Sequence, residues 1–140
     1  MERELKTAAG KVFLSIAYDA QNNWVYNNWV GNQSLESIIL GANACLEVLA
    51  AHNCAYLIND NRRVAGQWSQ ANEWITHDWT PRAVAQGLTH MAHVISPEAL
   101  ARLSAENMSK RVSSSFEMEI FADTESAKEW LKQAQEENGN

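Results

Sequence analysis

Cysteine and proline are scarce in this chain, with two of each in 140 residues. Two thiols, Cys45 and Cys54, make neither a disulfide framework nor a zinc set. One falls in a predicted helix and the other opens a strand, so both read as small buried thiols of a reducing cytosol. No apolar run approaches the length of a membrane span. The first residues, Met1 to Lys6, are charged and lack the apolar core of a signal peptide. Cytoplasmic location is therefore expected.

Positive charge is scarce too: 11 Lys and Arg stand against 17 Asp and Glu, for a net charge of -6. A nucleic-acid binder normally shows a basic face, and an anionic membrane surface disfavours an acidic chain. Neither is expected as a partner. Gly-x-Ser-x-Gly, a glycine-rich phosphate loop and Cys-x-x-Cys are all missing from the sequence. No catalytic residue, metal or cofactor is expected, and the chain is not expected to be an enzyme.

Hydrophobic residues make up 46% and charged residues 20%, the balance of an ordinary globular domain. The length suits one domain, placed at 1–135, with a polar frayed tail at 136–140. Val12, Leu14, Ile16 and Tyr18 alternate with Phe13, Ser15 and Ala17, which predicts a strand over 11–18. After the turn at 19–23, the aromatic and β-branched run 24–30 predicts a second strand, paired as a hairpin and ended by Gly31 and Asn32. Leu35, Ile38, Ile39, Ala42, Leu46 and Leu49 form a helical stripe over 34–51, with Ser34 or Asn32 as cap and Asn53 as terminator.

The apolar run 54–58 predicts a central strand covered on both faces, followed by a loop over 59–66. A helix is predicted from Ser69 to about Asp78, and a second begins with Thr80 as cap and Pro81 at its first position, stopping at Gly87. A buried strand over 88–95 leads to a helix begun by Ser96-Pro97-Glu98, with Leu100 and Leu103 turned inward. Residues 116–121 form the last strand. Asp123 caps a final helix with Ala127, Trp130, Leu131 and Ala134 on one side. The expected fold is α/β: one mixed, mostly parallel five-stranded sheet with four or five helices, in the order β-β-α-β-α-β-α-β-α.

Residues 60–81 hold the densest chemistry, with Trp68, Trp74 and Trp79 beside Asp60, Arg62 and Arg63. The segment follows the central strand, where open α/β sheets place ligands. Arg62 or Arg63, with helix N-termini near Ser69, Ser96 and Asp123, would suit a carboxylate or phosphate. The competing reading is an internal Asp60–Arg pair that pins the loop. The three tryptophans read either as core or as a lid or self-association surface. His90 and His93 lie three apart on a strand and so face opposite ways, which argues for packed histidines rather than metal ligands. Glu73 and His77 share a helix face and read as a surface ion pair, with Asp78 beside them.

Several details together resemble the STAS-like family of small bacterial α/β domains, also called SpoIIAA-like or STAS/SEC14-type. They are the Trp-bearing second strand ending in Gly31, Leu57-Ile58-Asn59-Asp60, Gly66-Gln67-Trp68, Glu73-Trp74, Trp79-x-Pro81, Met91-Ala92-His93-Val94 and Phe121-x-Asp123 with Ala127 and Trp130-Leu131. The resemblance spans essentially the whole chain. It implies a non-catalytic regulatory or protein-interaction module. The turn Asp60-Asn61-Arg62-Arg63 lacks the phosphorylatable Ser of the anti-sigma antagonists, so their phospho-switch does not carry over. Two functions are expected of such a chain. One is an interaction module that self-associates through 68–81. The other is a binding protein for a small amphiphilic or anionic, lipid-like ligand at the carboxyl edge of the sheet. The expected ligand-binding set is Asp60, Arg62, Arg63, Trp68, Trp74, Trp79 and Ser96.

Overall fold

A computed structural model describes residues 2–96 and 98–138. Six strands form one sheet in sequential order: β1 (Glu2–Lys6), β2 (Val12–Asp19), β3 (Trp24–Asn32), β4 (Tyr56–Ala65), β5 (His90–Val94) and β6 (Glu117–Phe121). The β1–β2 and β2–β3 pairs are antiparallel, and β3 through β6 run parallel. The α/β class and the hairpin are as expected, but the sheet has six strands rather than five. The additional strand is β1, whose Glu2, Arg3 and Glu4 are exposed on a sheet edge. Charge along an edge blunts pairing with other chains, and it also hides the apolar alternation by which strands are recognised.

Helix α1 (Leu35–Ala51) connects β3 to β4. Ser34 and Ser37 cap it reciprocally, each backbone N–H donating to the other's hydroxyl. Ile38, Cys45, Leu46 and Leu49 are buried, whereas Leu35 is exposed and drops out of the expected stripe. Gly41 lies where α1 crosses the sheet. A Cβ there would meet Leu14 at 2.7 Å and the Trp29 indole at 2.8 Å. The glycine thus lets the helix approach the Trp29 ring closely. Asn23, in the expected turn, and Asn53, at the expected helix end, are both left-handed, with φ of 56° and 48°.

Between β4 and β5 the chain stays helical over 69–85 without a break. A 3-10 turn (Ser69–Ala71) runs into α2 (Asn72–Trp74), then a π turn (Ile75–Trp79), then α3 (Thr80–Ala85). The expected restart at Thr80 is therefore corrected: Thr80 is helical and buried, and it caps nothing. Its N–H donates to the Ile75 carbonyl, five residues back. Proline in a helix interior cannot donate and crowds the carbonyl four residues before it. The wider π turn supplies the slack that lets Pro81 sit in a continuous helix. Ser69 is no cap either; its hydroxyl accepts from Gln67 Nε2.

Helix α4 (Ala99–Val112) leads to β6, and α5 (Thr124–Glu137) follows it, capped by the Asp123 carboxylate. Pro97 and the Leu100 side chain lie outside the described residues, whereas Leu103 is exposed rather than inward. The tail expected to fray from 136 is helical to Glu137. Ile38 of α1, Ile75, Trp79 and Met108 of α4 line one cavity together with Leu57 and Met91 of the sheet. On the opposite face α5 brings Trp130 against His90 and Phe121. Among the described residues no helix is long and apolar enough to cross a membrane.

Candidate functional site

The face of the sheet beneath α1, α4 and the helices over 69–85 carries a row of polar side chains among apolar ones. Asn27 of β3 lies opposite Asn59 of β4, which in turn lies opposite His93 of β5. Alternation places Val25 and Trp29, and Leu57 and Asn61, on this same face. Trp29 Nε1 donates to Asn59 Oδ1 at 2.7 Å, and Asn27 Nδ2 reaches the same oxygen at 3.5 Å. That orients the Asn59 amide, whose Nδ2 then donates to His93 Nδ1 at 3.3 Å. With Nδ1 accepting, the neutral ring carries its proton on Nε2. Burial lowers the His93 pKa to about 4, so the ring is neutral near pH 7.

A bulge on β4 sets the next residue. Asn28 pairs with Asp60 and Val30 with Arg63, leaving Asn61 and Arg62 opposite Trp29 alone. The Arg62 N–H donates to Asp60 Oδ1 at 3.1 Å, and Asn61 turns toward the helices, 6% exposed. Asn27, Asn59 and Asn61 then line a cavity walled by Trp29, Trp68, Trp79, Leu57, Ile75, Met91 and Met108. About 60 Å³ of it is open to the centres of water-sized spheres. One water needs roughly 10–15 Å³ on that measure, so the space takes several waters.

Four buried polar atoms here have no protein hydrogen-bond partner: Asn27 Oδ1, Asn61 Oδ1, Trp68 Nε1 and His93 Nε2. The first three belong to residues lining the cavity, and the His93 ring lies 6.0 Å from that of Trp68. Asn72 and Thr80 each hold one more such atom, away from the lining. Each unpaired buried group costs about 1–3 kcal/mol, so several around one cavity are a reservoir of binding energy. Cys45 also lines it; burial pushes its thiol up to about 12, against the opposing effect of the Asn27 amide. Cys45 and Cys54 are both buried and free.

The sequence-predicted site residues separate into distinct places. Trp68 and Trp79 line the cavity, and Trp79 Nε1 donates to the Ala42 carbonyl at 2.8 Å. Trp74 is half-buried and does not line it. Asp60, Arg62 and Arg63 lie on β4, not in a loop, and the Asp60 carboxylate is directed to the opposite face. Asp60 accepts from Tyr26 Oη at 2.5 Å and pairs with the Arg62 guanidinium at 2.9 Å. Burial disfavours its charge, but these partners outweigh burial and hold the carboxyl below its ordinary range. The internal Asp60–Arg pair is therefore formed by Arg62, while Arg63 is exposed. Ser96 donates to the Val64 carbonyl at 2.7 Å and accepts from the Glu98 N–H, which ties the loop after β5 to β4.

His90 and His93 do face opposite ways, His90 pairing with Glu117 at 2.9 Å. Glu73 and His77 are exposed, and the ion pair on that surface joins Asp78 to Arg82 at 2.8 Å. Among the described residues no group of three or more His, Cys, Asp or Glu could hold a metal ion. Asn27, Trp29, Asn59 and Asn61 were missed as site residues. Their signal was an amide or indole recurring at the buried parity of a strand, as in Val25-x-Asn27-x-Trp29 and Leu57-x-Asn59-x-Asn61. No protein family, curated protein or solved structure is matched by this chain.

Proposed function

We propose that the chain is a non-catalytic binding module for a small uncharged molecule, held between the sheet and the helices over 69–85. One observation carries this reading: unpaired polar atoms of Asn27, Asn61 and Trp68, all at least nine-tenths buried, belong to residues lining one apolar-walled cavity. Binding pockets combine mostly apolar walls with a few placed polar groups, and this cavity has that composition. Among the described residues that line it there is no Asp, Glu, Lys or Arg, which disfavours an ion as occupant. The amphiphilic ligand expected from the sequence thus keeps support, and the anionic one loses it.

The alternative, self-association through 68–81, has less support. That segment buries Trp68 and Trp79 and turns Gln70, Glu73, His77 and Asp78 outward. Native mass spectrometry of freshly purified protein tests the binding reading, together with thermal shift against neutral small molecules. A ligand of the folded state raises the melting temperature with its concentration. Tryptophan emission should shift as well, because three indoles line the space. No co-purified compound and no response at millimolar concentrations would overturn the proposal.

A further inference from the structure

The unpaired atoms around the cavity differ in kind, and the difference specifies a ligand. Asn59 accepts from Trp29 and donates to His93, and this fixes its amide. Asn27 turns its Nδ2 toward Asn59, so the atom left over is its oxygen, an acceptor. Asn61 also leaves an oxygen. Trp68 leaves an indole N–H, a pure donor. The residues lining the cavity thus leave two buried acceptors and one buried donor unpaired, within apolar walls that include three indoles.

We propose, resting on the binding reading above, that the cavity selects an uncharged planar ring carrying both N–H and C=O, a cyclic amide of the lactam or imide type. The ring N–H donates to Asn61; a second N–H, where the ring has one as uracil does, donates to Asn27; and the ring carbonyl accepts from Trp68. The flat faces of such a ring suit indole walls, which favour stacked or edge-to-face contact. A carboxylate is rejected because burying it without a cation is costly. A plain hydrocarbon ring of the same size would leave three buried polar atoms unpaired.

Titration calorimetry with uracil, 2-pyridone, indene and decanoate tests this on the full chain. Uracil or 2-pyridone should bind more tightly than indene, and decanoate most weakly. Trp68→Phe keeps an aromatic wall and removes the donor. It should weaken lactam binding about five- to tenfold, the worth of one hydrogen bond, and leave indene unchanged. Asn61→Ala should show the same selectivity and serves if Trp68→Phe misfolds. Binding of indene without the lactams would overturn the lactam inference and leave the binding module standing, whereas binding of decanoate alone would overturn both. Lactam binding that Trp68→Phe or Asn61→Ala weakens no more than indene binding would overturn it as well. Failure of every probe would overturn both.

Discussion

His93 lies opposite Asn59 on the neighbouring parallel strand, and the Asn59 amide holds its Nδ1 at 3.3 Å. The contact requires a neutral ring, because an imidazolium has no acceptor nitrogen. Burial enforces the same state by lowering the His93 pKa from 6.5 to about 4.

In the unfolded chain His93 takes up a proton near its ordinary pKa, whereas the folded chain resists. Its contribution to stability is complete above pH 6.5 and is lost as pH falls toward about 4. The loss over that window is roughly 3 kcal/mol, at about 1.4 kcal/mol per unit. Urea denaturation across the window should show the decline in the native chain and a flatter profile in His93→Gln. Equal slopes in the two proteins would remove His93 as the cause.

Gly41→Ala should destabilise the protein although alanine is the better helix former. The propensity gain is about 1 kcal/mol. The added carbon would crowd Leu14 at 2.7 Å and the Trp29 ring, both buried. Overpacking of this kind costs about 1–3 kcal/mol and should win. The expected net loss is up to about 2 kcal/mol by chemical denaturation. A variant as stable as the native chain would mean that Trp29 shifts freely.

Tyr26→Phe removes the hydroxyl that donates to Asp60 at 2.5 Å. A hydrogen bond to a buried carboxylate is worth about 1.5–3 kcal/mol, less where one partner is half-exposed, as Tyr26 is. A loss of about 1–2 kcal/mol is expected at pH 7. The lowered Asp60 pKa contributes stability that is present above its ordinary value of 3.8 and lost as pH falls through the folded value. Asp60→Asn should therefore flatten the profile on the acid side, below the His93 window. Ligand binding should survive both changes, because the Tyr26–Asp60 pair is directed away from the cavity. Abolished binding in a folded Tyr26→Phe protein would place the ligand on the wrong face here.

The hairpin, the cap at Ser34, the turns at Asn23 and Asn53 and the opposed histidines were legible because each rests on local chemistry. β1 was not legible, since an edge strand with Glu2, Arg3 and Glu4 outward shows no apolar period. The second half of β4 read as a loop because Asn59-Asp60-Asn61-Arg62-Arg63 is polar throughout. It is a strand in which Tyr26, Trp29 and His93, all distant in sequence, satisfy the side chains of Asp60 and Asn59. The break expected at Pro81 failed for a similar reason. A π turn absorbs the proline, and burial of Ile75 and Trp79 keeps the helix continuous.

The sequence by itself determined the α/β class, the alternation of strands and helices after the hairpin, and the burial of both cysteines. Apolar periods and turn residues act over a few positions and can be read in one dimension. Tertiary structure alone decided which polar residues meet. Strand alternation along β4 sends Asp60 to one face and Asn61 to the other. Residues adjacent in the chain thereby serve an ion pair and a cavity on opposite sides of the sheet. Register is a long-range property: strands from three parts of the chain must pair before Asn27, Asn59 and His93 stand in one row.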